Sequence, residues 1–133
     1  CVKEYYYNSR KMYKQKTDAQ YAQELIDFIG NVPYRCVIVD PSAASFIAEL
    51  MKRGVKVIKA DNAVLDGIRL TAVLIQSGEL LFDKSCINTI AEFGTYHWDD
   101  KAEEQGEDRP VKADDHAMDA VRYFVSTVLK RTV

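Results

Sequence analysis

Three acids and one of only two histidines fall within six residues, Asp114, Asp115, His116, Ala117, Met118 and Asp119, at the head of the last amphipathic stretch of the chain. On a helix, positions i and i+3 share a face, so His116 and Asp119 can meet one ion or one substrate atom. A further acid, Asp40, ends the most apolar run in the sequence, Cys36-Val37-Ile38-Val39. In open α/β sheets, ligands gather beyond the carboxyl ends of the strands. A last helix with its N-terminus at that edge would bring Asp40 and Asp119 together. Two carboxylates about 4 Å apart repel by roughly 4 kcal/mol at an effective dielectric of 20, a cost that a cation between them removes. Oxygen-rich ligation of this kind suits Mg²⁺ or Mn²⁺ rather than structural zinc. One or two such ions can activate a water and stabilise the leaving oxygen of a phosphodiester.

Each of these residues also has a plain structural explanation. Acids in the first turn of a helix are favoured by its dipole, which accounts for Asp114 and Asp115 without any function. Asp40, before Pro41 and Ser42, suits a turn. His116 suits an ordinary helix surface. Asp119, one turn inside the helix and beyond the strongest dipole effect, is the hardest to explain this way. Asp61 and Asn62 read as a cap pair, and His97, beside Trp98, as structural.

The elements that must position these groups follow from the pattern of apolar residues. With 133 residues, 47% of them hydrophobic and 29% charged, the chain reads as one domain able to bury a core. A net charge of -2 argues against a protein that coats nucleic acid by bulk electrostatics, so a basic patch must be local. Three widely spaced cysteines make neither a disulfide framework nor a zinc-finger pattern, and reduced thiols in a cytosolic compartment follow. No apolar run approaches the roughly 18–20 residues that span a bilayer. The absent initiator Met, and a start that reads directly as a strand over residues 2–8, predict a piece of a longer protein.

Thr17-Asp18-Ala19-Gln20 matches a capping box, followed by Ala22, Leu25, Ile26 and Ile29 at helical spacing and Gly30 as the stop. Residues 34–40 predict a central strand covered on both faces, ended where Pro41 holds Asp40 out of helical geometry. Ser42 is placed to cap a helix burying Ala43, Phe46, Ile47 and Leu50, with Gly54 after it. Residues 55–59 predict the next strand, completing a parallel strand-helix-strand unit. Beyond Asp61 and Asn62, Val64, Leu65, Ile68, Ala72 and Ile75 predict a helix ended by Ser77-Gly78. Residues 79–82 read as a short edge strand, 86–96 as a helix and 98–109 as a polar, acidic loop. The final helix is expected to bury Ala117, Ala120, Val121, Phe124 and Val128 and to leave Asp115, Asp119 and Arg122 on another face.

The sequence Val39-Asp40-Pro41-Ser42-Ala43, then Lys59-Ala60-Asp61-Asn62 and Leu65-Asp66-Gly67-Ile68, then Lys112 to Tyr123 with its Asp-His-x-x-Asp-Ala-x-Arg-Tyr pattern, resembles the C-terminal nuclease domain of tailed-phage large terminase subunits. The resemblance spans almost the whole of residues 1–133. It implies an α/β, ribonuclease H-like fold, a mixed sheet with helices on both faces, whose first strands are missing from this chain. It also implies a divalent-metal endonuclease that cuts concatemeric double-stranded viral DNA in the cytoplasm of a bacterial host. Carried over by position, Asp40, His116 and Asp119 are the catalytic residues. The same three, with Asp115, are ligands of Mg²⁺ or Mn²⁺, two ions in the complete domain. A further essential acid of the family belongs to the first strand, upstream of this chain. The implied partners are double-stranded DNA, an ATPase domain in the same full-length chain, the small terminase subunit and the portal protein, with no membrane. No Gly-x-x-x-x-Gly-Lys-Ser/Thr loop occurs here.

Lys112, Arg122, Lys56 and Lys59 are then candidates for phosphate contacts that carry no sequence information, with the basic turn at residues 10–16 as a second. A rival reading is a non-catalytic ribonuclease H-like module that docks on a portal or motor and whose acids merely cap helices. A small nucleotide-binding domain is disfavoured, because no glycine-rich turn follows a strand at phosphate-cradling spacing.

Overall fold

The structure, a computed structural model, describes residues 1–6, 15–95 and 115–129. The chain divides into two compact units, one comprising Tyr5–Ala60 and the other Cys1–Glu4 with Asp61–Val133.

In the first unit, helix α1 (Asp18–Ile29) starts at the predicted capping box: Thr17 Oγ1 accepts from the Gln20 N–H, and Gln20 Oε1 accepts from the Thr17 N–H. Gly30, at φ 61°, ends it and donates its N–H to the Ile26 carbonyl. Strands β1 (Val37–Val39) and β2 (Val57–Lys59) pair in parallel, Val37 with Val57 through Val39 with Lys59. The crossover is α2 (Ala44–Lys52), closed by Gly54 at φ 81°. Apolar residues of α1, α2 and both strands bury Ala22, Leu50 and Val55 between them. The predicted parallel unit is therefore present, with strands shorter than expected and β1 half-buried. Ser42 does not cap α2; the N-cap is Ala43, because the Ser42 side chain is spent on Asp40.

The second unit is helical among its described residues. It contains α3 (Val64–Gln76), α4 (Ile87–Thr95) and α5 (His116–Phe124), the last continuing into a π-helical turn, Val125–Leu129. Its core is Leu74, Leu80 and Val125, joined by Leu70, Phe82, Val121 and Leu129. Phe82 and Phe93 meet edge to face at 5.2 Å.

Three expectations fail here for identifiable reasons. The described part of residues 2–8 forms no strand, nor do residues 79–82. The N–H groups of Glu79 and Leu80 are both spent on the Leu74 carbonyl at the end of α3. Only Leu81 and Asp83 remain to bond the backbone of Cys1, too little for a ladder. The sheet of the described residues thus has two parallel strands and no antiparallel member. The buried face of the last helix is also rotated from the predicted one. Met118 and Arg122 are buried, with Val125 and Ser126 beyond them, whereas Ala120 and Phe124 are exposed. A charged residue can face inward because its charge is paired there.

Candidate active site

Asp40 directly follows β1. Its Oδ1 accepts from the Ser42 N–H and the Ser42 hydroxyl, both at 2.9 Å, and its carbonyl accepts from the Ala43 N–H. One carboxylate oxygen therefore builds the turn that leads from strand to crossover helix. The turn reading of Asp40 is thus realised in full, and a carboxylate with about four lone-pair sites can hold a turn and still ligate. Asp40 is half-buried and belongs to the first unit; the other candidate acids belong to the second.

In the second unit, Asp115, His116 and Asp119 occupy the first turn of α5. Asp115 takes the N-cap position but makes no side-chain cap bond, and it is 6% exposed. Its carbonyl accepts from the Asp119 N–H at 2.8 Å, the bond that closes the first turn. His116 is exposed, and Asp119 is 18% exposed at its side chain.

Arg122, a candidate phosphate contact in the sequence, is 5% exposed. Its guanidinium reaches Asp119 Oδ1 at 3.1 Å through Nη2 and Asn62 Oδ1 at 3.2 Å through Nη1. It also lies 4.8 Å from the centre of the Tyr123 ring. Its stem packs against Gly67, where α3 comes close to α5. Asp61 does not cap α3: the N-cap is Ala63, with no side-chain cap bond, and Asp61 Oδ1 accepts from the Ala63 N–H in the turn before the helix. Asn62 does not cap it either but anchors Arg122.

Two acids that sequence reasoning passes over hold the helices of this unit. Glu4 Oε1 accepts from the Asn88 backbone and side-chain amides, and Oε2 from the Thr89 N–H and hydroxyl. Burial works to raise the Glu4 pKa, but these four bonds outweigh it and hold the carboxyl below its usual range. Glu92 Oε1 accepts from the Ala117 and Met118 N–H groups at 2.9 and 3.2 Å. A signal for Glu92 does exist, since buried Cys86, just before α4, and buried Thr89 and Glu92 within it repeat every three residues.

Lys56 and Lys59 are exposed, as a phosphate contact requires. Lys16, in the second candidate basic turn, is committed to Glu24 at 2.6 and 2.8 Å and to the Tyr5 hydroxyl at 2.6 Å. The bonds to Glu24, then to Tyr5, hold its pKa above the usual lysine value. Lys112, Asp114, His97 and the acidic loop lie outside the described residues.

Among the described residues, no three His, Cys, Asp or Glu side chains gather as a metal cage. Mg²⁺, however, is commonly held by one or two carboxylates and several waters. The oxygen and imidazole donors on the first turn of α5 fit that less demanding requirement.

The described residues define an α/β protein, with an acid closing a parallel strand in one unit and a histidine and an aspartate on one helical turn in the other. Over 96% of its length the chain matches the large terminase from a thermophilic bacteriophage, with 52% identity and a TM-score of 0.92. The ATP-γ-S complex of that terminase matches with the same identity and coverage and a TM-score of 0.93. The chain spans about a third of the length of these terminase structures, 32% and 33%. No family model and no curated protein matches it. Among the described residues no helix is long and apolar enough to cross a membrane.

Proposed function

We propose that this chain is the nuclease part of a phage large terminase, of ribonuclease H-like fold, and that it cuts concatemeric double-stranded viral DNA during genome packaging. The observation that carries the reading is the His116 and Asp119 pair on one turn of α5, in a chain 52% identical to a large terminase. Asp40, Asp119, His116 and Asp115 would hold Mg²⁺ or Mn²⁺. The ion, when bound, supplies Lewis-acid activation of water and stabilisation of the leaving oxygen.

The chain's own residues do the rest. Arg122 and Asn62 fix the rotamer of Asp119, so that its carboxylate meets the substrate side already oriented. His116, exposed on the same turn, takes or returns a proton at the oxygen that attacks phosphorus or leaves it. Lys56 and Lys59 contact phosphates. In the full-length protein the partners are an ATPase domain in the same chain, the small terminase subunit and the portal protein.

The test is relaxation of supercoiled plasmid with Mn²⁺ by the full-length protein, which would carry the further acid of the first strand. Nicking is expected, with loss in both Asp119→Ala and His116→Ala; equal nicking by either variant and the parent assigns the activity to a contaminant.

A second reading, a non-catalytic docking module, draws on exposed Val73, Ile87 and Ile90 and on an apolar pocket of about 300 Å³ lined by Ile68, Ile75, Phe93, Met118 and Val121. A docking module gains no stability from Mn²⁺, whereas a nuclease site does.

A further inference from the structure

α5 begins without a cap of its own. Asp115 stands at its N-cap and makes no side-chain cap bond. The N–H groups that a cap serves are those of the second and third helical residues, here Ala117 and Met118. Both are taken by one oxygen of Glu92, which comes from α4 and is 5% exposed. A carboxyl group so placed also lies at the positive end of the helix dipole. Its other oxygen, Oε2, is buried with no hydrogen-bond partner among the described residues. Among the described residues the carboxylate is held by the N-terminus of α5.

The same contact occurs once more in this unit. α4 starts at Ile87, and its second and third N–H groups, of Asn88 and Thr89, are taken by Glu4. Glu4 fixes where α4 starts, and α4 carries Glu92. Glu92 in turn fixes where α5 starts, and the first turn of α5 carries His116 and Asp119. A shift at Glu92 becomes a rotation of that pair.

We propose that Glu92 is a positioning residue for His116 and Asp119: by holding the Ala117 and Met118 N–H groups, it sets the direction in which the pair faces its ligand. The catalytic part of this inference rests on the nuclease reading; the geometric part does not. Removal of a group that orients a ligand typically costs about 10–100-fold in metal affinity.

The experiment uses the whole chain and three variants. Glu92→Ala removes the acceptor, Glu92→Gln keeps it without the charge, and Leu80→Ala weakens the core of the same unit elsewhere. Mn²⁺ affinity is read from the free-ion magnetic resonance signal, well below each melting temperature. Backbone amide resonances of residues 115–119 are recorded without metal. Glu92→Ala is expected to weaken Mn²⁺ binding about 10–100-fold and to move the His116 and Asp119 resonances. Glu92→Gln should recover most of both, and Leu80→Ala should change neither, although it melts earlier. Unchanged affinity and resonances in Glu92→Ala overturn the proposal, as does an equal effect from Leu80→Ala. If the parent binds no Mn²⁺ while the resonances respond as stated, the metal reading falls and the positioning role stands.

Discussion

A Cβ added to Gly67 would stand 2.5 Å from Cγ of Arg122 and 2.7 Å from Oγ of Ser126. α3 and α5 can approach this closely only because residue 67 has no side chain. Arg122 cannot swing aside, since its head is fixed by Asp119 and Asn62. Alanine is the better helix former by about 1 kcal/mol, but overpacking of this kind costs about 1–3 kcal/mol. The clash should win. Gly67→Ala is expected to lower Tm, by roughly 4–8 °C for each net kcal/mol lost in a small domain. In an Arg122→Ala background the same change should cost less, because one of its two obstacles is gone while Ser126 Oγ remains. Thermal melts of the four proteins in that cycle check this, and an equal loss in both backgrounds would rule out the Arg122 contact as the cause.

Arg122 joins two acceptors with one planar fork, which a lysine ammonium cannot match. Arg122→Lys is therefore expected to destabilise nearly as much as Arg122→Met, about 1–3 kcal/mol in each case, since either leaves a polar group with an unmet partner in a largely buried place. Urea unfolding measures both. A lysine variant as stable as the parent would mean that charge alone, not the fork, matters at this position.

How much is legible in the sequence differs between the two units. Around Asp40 the relevant interactions are local: a capping box from Thr17 to Gln20, an Asx-type turn from Asp40 to Ser42, and a glycine stop at residue 54. Local hydrogen bonds between near neighbours leave a pattern in sequence. Around Asp119 the relevant partners are distant. Asn62 lies 60 residues from Arg122, and Glu4 lies 84 from Asn88. Nothing in the spacing of one helix indicates that its arginine will be paired from another, so Arg122 reads as solvated and the predicted buried face of α5 is turned away from the real one. Glu92 escapes notice for the same reason: the buried stripe of α4 carries Thr89 and Glu92 while Ile87 and Ile90 are exposed, and the helix N-terminus that Glu92 serves lies 25 residues away.

The Glu4 contact has a pH signature. Its folded pKa lies below the ordinary value of 4.5, because the Thr89 and Asn88 bonds outweigh the effect of burial. The stability it contributes is therefore fully present above 4.5 and is lost as pH falls through the folded pKa. Glu4→Gln should be less stable than the parent at neutral pH by an amount that stays constant down to about pH 5 and shrinks below it. Urea midpoints from neutral to about pH 3 follow the difference. A gap that widens with acid would put the sign of the Glu4 shift the other way.

Of the candidates for phosphate contact, Lys56 and Lys59, beside and within β2, are described and exposed. Each phosphate contact releases counterions and contributes about 0.9 to the slope of log K against log salt. Lys56→Ala and Lys59→Ala should each flatten that slope by about one and weaken binding equally on unrelated DNA sequences. Fluorescence anisotropy across a salt series measures it, and an unchanged slope removes that lysine from the interface.

Metal binding is the shortest route to a decision on Asp119. A ligand that binds only the native state stabilises it by mass action, about 2.7 kcal/mol when present at 100 times its dissociation constant. Saturating Mn²⁺ should thus raise Tm by several degrees, and Asp119→Ala should abolish the rise. The variant also frees Arg122 from a buried pair, so its own Tm in the absence of metal will be lower; the comparison is between shifts, not absolute values. Asp40→Ala separates the contributions further. If Asp40 shares the ion, its removal reduces the shift as well as weakening the Ser42 turn. If Asp40 serves only the turn, Tm falls and the Mn²⁺ shift remains intact.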